Sequence, residues 1–328
     1  MSGSYQGIPA TALSALTVAG VPTIGTGGLL PYTGRYIFVN ESTGSDGNQG
    51  TASSPLATLA QAQTMATANQ NDVVFFTGTI HQTASLTWAK NQVHLIGLSD
   101  GIKRGKRARI SVSGSTPFSY LMDVSASGCL FANFGTFYGF STTGATTPIC
   151  WRDTGGRNMY DTVEIMGFGD ATVSTGTAVQ TTARAMLINN NTGETTFRRC
   201  VFGVDTVQRN ATNYTVEIAG GAPRLTFEDC DFESDLGSSG GASSHVLIGV
   251  DGIDRYCKFK SCTFMSDTLS SGTAMAQVFN VQAAAGGVVM LDHCTSFGCT
   301  AWETSASNSV FMNMPAVSAP GGGKMLVI

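Results

Sequence analysis

The sequence predicts an all-β fold, a parallel β-helix of stacked coils. Three observations predict it: a phenylalanine–cysteine motif that recurs at a near-constant interval, a second apolar ladder in step with it, and a light, turn-rich composition.

The motif is clearest in Thr196-Phe197-Arg198-Arg199-Cys200-Val201-Phe202. It returns in Leu225-Thr226-Phe227-Glu228-Asp229-Cys230-Asp231-Phe232, in Cys257-Lys258-Phe259-Lys260-Ser261-Cys262-Thr263-Phe264 and, more loosely, in Met290-Leu291-Asp292-His293-Cys294 with Phe297. The anchor positions 197, 227, 259 and 291 differ by 30, 32 and 32 residues. Units of that size cannot bury their own apolar faces, so a fixed period means that neighbours stack. The second ladder runs through Ala185-Met186-Leu187-Ile188, Tyr214-Thr215-Val216-Glu217-Ile218, His245-Val246-Leu247-Ile248, Gln277-Val278-Phe279-Asn280-Val281 and Ser309-Val310-Phe311-Met312. Val246, Val278 and Val310 follow one another at steps of 32. Two short strands per coil, rich in Val, Phe, Thr and Ile and bounded by Gly, Ser, Asn and Asp, read as β units. Equivalent strands of successive coils would pair in parallel sheets, about 4.8 Å apart.

Composition agrees. Of 328 residues 40 are Gly and only 12% are charged, the profile of an all-β chain rather than of a disordered or coiled-coil one. The net charge of -4 leaves no broad basic face for phosphates, which excludes nucleic acid as the main partner. Cys200, Cys230, Cys262 and Cys294 share one register of the inward ladder and are predicted to be reduced, buried thiols. The C-x4-C pairs Cys257/Cys262 and Cys294/Cys299 lack the flanking ligands of a zinc site, so the sequence predicts no metal and no cofactor.

Taken in order, the chain divides into an extended arm (1–35), the β-helix (36–314) and a C-terminal tail (315–328). Residues 1–34 carry no charged side chain, and Ile8, Leu13, Leu16, Val18, Val21 and Ile24 are interrupted by Gly and Pro. The arm has neither the basic start and apolar run of a secretion signal nor a span of about 20 apolar residues. Assembly in a cytoplasm and no membrane partner are therefore expected. An arm that cannot build its own core must lie along its own body, a neighbouring subunit or a larger assembly. Tyr36-Ile37-Phe38-Val39-Asn40, read as the first strand, opens the β-helix. Ser54 as N-cap and Pro55 at the first helical position predict a helix near 55–68, which would cover the open end of the first coil.

Lys103, Arg104, Lys106, Arg107 and Arg109 gather five of the 18 basic residues within seven positions. This run is either a solvated turn between coils or a dock for an acidic surface. The one dense acidic cluster is Glu228, Asp229, Asp231, Glu233 and Asp235. Glycan hydrolysis would need a carboxylate pair on an outer face, and lyase chemistry would need a basic residue beside stacked calcium ligands. Acidic residues alternating with inward Phe and Cys equally describe a solvated strand, so no catalytic residue is assigned. The consecutive apolar residues of the second ladder suggest that both faces of its strands are covered. Leu187, Leu247, Phe279 and Phe311 are accordingly expected at the interface of a homotrimer closed about an axis parallel to the solenoid.

The residues Phe38-Val39-Asn40, Gly44-Ser45-Asp46-Gly47-Asn48-Gln49-Gly50-Thr51, Ser54-Pro55-Leu56-Ala57-Thr58-Leu59 and Asp72-Val73-Val74 resemble the opening coil of pectate-lyase-like right-handed β-helix proteins, which include many phage tailspikes. With the apolar arm, Ala84-Ser85-Leu86-Thr87-Trp88-Ala89-Lys90-Asn91 and Arg107-Ala108-Arg109-Ile110, the chain is similar to phage proteins associated with virion structure. The resemblance implies a right-handed helix and a non-enzymatic protein of the phage particle surface that decorates or cements the capsid, with the major capsid protein or another virion protein as partner. A receptor-binding or glycan-depolymerising tailspike is the alternative, and an adhesin-like solenoid a third.

Overall fold

In the computed structural model, the described residues are 34–99, 101–113, 118–139, 148–167, 181–209, 211–238, 240–267, 273–282, 287–303 and 310–312. Residues 1–33 of the arm and the whole C-terminal tail lie outside them. The described residues form a parallel β-solenoid with three strands per coil, one more than the sequence ladders indicate. The strands assemble into sheets of ten, eight and seven strands, called here the first, second and third in the order in which each coil visits them. In one coil these are Leu225–Glu228, Asp231–Leu236 and Ser244–Ile248.

The phenylalanine–cysteine motif is the corner between the first and second sheets, not a single strand. Phe197 ends up on Thr196–Arg198 and Phe202 on Val201–Arg209, with both rings pointing inward. The chain turns through one residue with positive φ: Asn133 (63°), Thr162 (59°), Arg199 (52°), Asp229 (53°), Ser261 (53°) and His293 (53°) in successive coils. Only a left-handed residue there lets the next side chain, Phe134, Val163, Cys200, Cys230, Cys262 or Cys294, turn inward beside the aromatic one. Asn133, Asp229 and His293 are of types that tolerate that region, but Arg199 and Ser261 have no such preference and Thr162 is β-branched, so the corner is imposed by stacking and not by local propensity alone.

Two files of aromatic rings fill the core. Phe131, Tyr160, Phe197, Phe227 and Phe259 stack with centroids 4.9, 4.7, 4.6 and 4.7 Å apart, close to the spacing of paired strands. Phe202, Phe232 and Phe264 form the second file at 5.0 and 4.6 Å, meeting the first edge-on. Beside them, Cys230 Sγ donates to the Phe197 carbonyl at 3.5 Å, Cys262 Sγ to that of Phe227 at 3.5 Å and Cys294 Sγ to that of Phe259 at 3.4 Å. All eight cysteines are free. Burial pushes the Cys129 and Cys150 thiols up to about 12.

The helix is shorter than predicted, Leu59–Met65, and its N-cap is Thr58 rather than Ser54. Asp46 fixes this start: its carboxylate accepts from the backbone N–H groups of Ala57 (3.0 Å) and Thr58 (2.9 Å) and from the Thr58 hydroxyl (2.8 Å), while that hydroxyl accepts from Gln61 N–H at 3.1 Å. Ser54 and Leu56 are held instead in isolated bridges to Thr51 and Val39. Leu59, Ala62 and Ala66 enter the common core, and the helix packs on Tyr36–Val39 and Leu86–Trp88, the first strands of the first and third sheets.

Two readings of the second ladder are corrected. Val310–Met312 pairs with Val288–Asp292 in the first sheet, Phe311 opposite Met290, so it does not continue the third. In the third sheet Val246 pairs with Phe279, not Val278, and both Val278 and Phe279 are buried in the core. Two adjacent inward residues break the strict alternation of a strand, and this accounts for the apolar run without an outward apolar stripe.

Candidate functional site

The corner after the first sheet collects the charged residues. Just before it, Asp161, Arg198, Glu228, Lys260 and Asp292 lie in register on adjacent strands, alternating in sign. Arg198 Nη2 donates to Asp161 Oδ2 at 2.5 Å, Arg199 Nη2 to Asp161 Oδ1 at 2.9 Å, and Lys260 Nζ to Glu228 Oε1 at 2.7 Å. Burial pushes the Asp161 carboxyl up, but the two guanidiniums outweigh it and hold it below its ordinary value. The hydrogen bond from Lys260 likewise lowers Glu228.

The basic run docks onto this corner. Lys103 Nζ reaches Asp231 Oδ1 (2.9 Å) and Asp229 Oδ1 (3.4 Å), while Arg104 pairs with Asp231 Oδ2 (2.7 Å) and with Glu233. The Glu164 carboxylate accepts from Gly105 N–H at 2.5 Å, and Gly135, lacking a Cβ, leaves room for it. Lys106 is fully buried, its ammonium on the Ile102 carbonyl and on Asn133 Oδ1 at 3.1 Å. Of Lys103, Arg104, Lys106 and Arg107, the basic residues predicted to bind a partner, Arg104 and Arg107 are left exposed, and Arg104 is already engaged by Asp231. The acidic surface that the run was predicted to seek is therefore the chain's own. Complementary charge was the available signal, but nothing local joins residues 126 to 128 positions apart.

The outward face of the third sheet carries a second charged group. Arg152 stacks 4.0 Å over the Tyr120 ring and grips Asp123 at 2.8 and 2.6 Å. Arg184 lies 4.6 Å over Tyr214 and donates to Glu217 at 2.7 Å. The spacing repeats: Tyr120 is followed three residues later by Asp123, Tyr214 by Glu217. Sequence reasoning missed both clusters because their arginines come from neighbouring coils.

Of the predicted interface residues, Leu187 and Leu247 do point outward, in register with Arg152, Glu217 and Asn280, but Leu247 is only 5% exposed. Asn280 Nδ2 reaches over its strand to Tyr214 Oη at 3.1 Å. Phe279 faces the interior, Phe311 belongs to the first sheet, and Ile8, Leu13, Leu16, Val18, Val21 and Ile24 lie outside the described residues. Among the described residues, no cluster of three or more His, Cys, Asp or Glu is arranged to hold a metal ion.

No protein family matches the chain, and no curated protein does. Solved structures do. A rhamnogalacturonan lyase superposes with a TM-score of 0.51 at 14% identity, over 80% of this chain and 74% of its own. A pectate lyase gives 0.46 at 12% identity over 95% and 89%, and a pectin methylesterase from Aspergillus niger 0.45 at 11% over 85% and 83%. The likeness is one of fold.

Proposed function

We propose that this β-helix is a structural protein of a tailed-phage particle, a capsid decoration or cement protein that works through its surfaces rather than by turnover. One observation carries the reading: Asp161, Glu228, Asp229, Asp231 and Glu233 are each held by a lysine or arginine. A carboxylate in an ion pair stays ionised and in place, which suits a brace better than a general acid. The resemblance of the arm, the opening coil and residues 84–91 and 107–110, taken together, to phage virion proteins supports the virion assignment. The proposed partners are further copies in a homotrimer and the major capsid protein, with the uncharged arm as tether. The test is co-sedimentation of the purified protein with assembled capsids, with and without residues 1–34. Binding that needs the arm, and a mass by light scattering near three times 34.1 kDa, are expected. Equal binding without the arm would remove the tether, and no binding to any shell would overturn the reading.

The second reading is a glycan-binding or glycan-cleaving tailspike. It is favoured by the outward Arg–Tyr–carboxylate clusters, since aromatic rings flanked by charged hydrogen-bonding groups suit sugar rings. Release of new reducing ends or unsaturated products from a panel of capsular and pectic polysaccharides would favour it over the first.

A further inference from the structure

Where the second and third sheets adjoin, the interior is not apolar. Ser234 and Ser266 lie in register on neighbouring strands of the second sheet, and Thr215 and His245 precede the in-register pair Val216 and Val246 on the third. All four are fully buried. Among the described residues, neither serine hydroxyl, nor Thr215 Oγ1, nor either ring nitrogen of His245 has a hydrogen-bond partner. A Cβ placed on Gly203, on the second sheet, would stand 2.9 Å from Thr215 Cγ2, so the two sheets are in direct reach here. The His245 ring lies 5.9 Å from that of Phe264, on the same strand as Ser266.

We infer that this seam is an internal hydration site, a short file of ordered waters bridging Ser234, Ser266, Thr215 and His245. Same-register groups on paired strands sit about 4.8 Å apart, too far for a direct hydrogen bond and the gap that one water spans. The groups also match water in kind. Each hydroxyl both donates and accepts, and a neutral imidazole offers one donor and one acceptor. Burial and the nearby Arg209 charge hold His245 far below its ordinary value, keeping it in that neutral form. Buried hydroxyls and ring nitrogens with no protein partner are the usual hosts of internal water, and leaving so many dry in one place would be costly. An anion would use the donors and leave the free imidazole nitrogen unanswered, which is why water is the better occupant.

The test is a crystal structure of the full chain at a resolution that orders water, with a second crystal soaked in bromide. Spherical density within about 2.8 Å of the serine hydroxyls and a His245 nitrogen, with no bromide signal, is expected. An empty seam overturns the inference, and so does an anomalous bromide peak, which would make the site an anion site. Ser266→Ala gives an independent reading in solution. It should lower the urea midpoint if the hydroxyl anchors water, whereas an unchanged or raised midpoint means that the hydroxyl was dry. The nitrogen shifts of His245 should report a neutral, hydrogen-bonded ring at pH 7, and shifts typical of unbonded nitrogens would count against the file.

Discussion

The Arg104 guanidinium hydrogen-bonds the Asp231 carboxylate at 2.7 Å across 127 residues of sequence. The strand that follows the Arg104 loop, Arg109–Val112, and the strand that begins at Asp231 are four positions apart in the second sheet. The loop is thus a strap laid along the stack. Arg104 is about half exposed, so the pair contributes modestly by itself, and replacing both Lys103 and Arg104 by Ala should cost about 1–2 kcal/mol. The clearer readout is local: cleavage of the 98–108 loop by a non-specific protease should accelerate well before global unfolding. An unchanged cleavage rate would mean that the strap is held by Glu164 and Asn133 alone.

Asp161 predicts a pH dependence. Its folded value lies below the ordinary carboxylate value near 4, so its contribution is complete above that value and is lost as pH falls through the lowered folded one. Asp161→Asn should cost about 1–3 kcal/mol near neutral pH, since Arg198 and Arg199 lose a nearly buried partner, and the variant should lose less on acidification than the parent. Urea midpoints measured from pH 7 down to pH 3 check both. Parallel curves would show that the brace carries no linkage. Asp153 works in the opposite sense: burial raises its carboxyl despite donation from Gly155, Gly156, Asn158 and Tyr160, so it weakens the fold as pH rises through that raised value.

Phe227 has ring neighbours on both sides in its file and further rings edge-on from the second. Phe227→Ala should cost about 3–5 kcal/mol, measured as the shift in chemical denaturation. Phe279→Ala should fall in the same class because its ring packs on Phe259 and Phe264. A Phe279 variant that kept full stability and altered only the oligomeric mass would restore the outward orientation read from sequence.

Thr162 is the one β-branched residue among the six left-handed corner positions, and Asn133 occupies the equivalent place one coil earlier. Thr162→Asn should relieve strain and raise stability by up to about 1 kcal/mol, less what is lost with the hydroxyl's 2.9 Å bond to Asp161. A drop in the denaturation midpoint would mean that this bond matters more than the backbone.

The solenoid was legible in the sequence because a stacked ring file demands the same residue once per coil, and Phe197, Phe227 and Phe259 supply it. The second sheet was hidden by its corner with the first: Arg199, Asp229 and Ser261 turn the chain without Gly or Pro to announce it, so two strands read as one. Adjacent inward residues such as Val278 and Phe279 defeat any argument from alternation. Ser54-Pro55 looks like a helix start, yet the start is set by Asp46, a loop residue twelve positions before the Thr58 cap. The charged corner was the least readable part, because its acids and its strap belong to coils far apart in the chain.

The corner between the first and second sheets uses two residues in every coil from Asn133 to His293, one left-handed and one inward. Losing or gaining a single residue there would turn the following strand over, sending Phe202 or Phe232 into water and their charged neighbours into the core. Insertions are therefore expected to be tolerated at the other two corners or as whole coils, and not at this one. Repeating the segment 229–260 would return the chain to the same corner at the next level, extending both aromatic files by one ring and the body by about 4.8 Å.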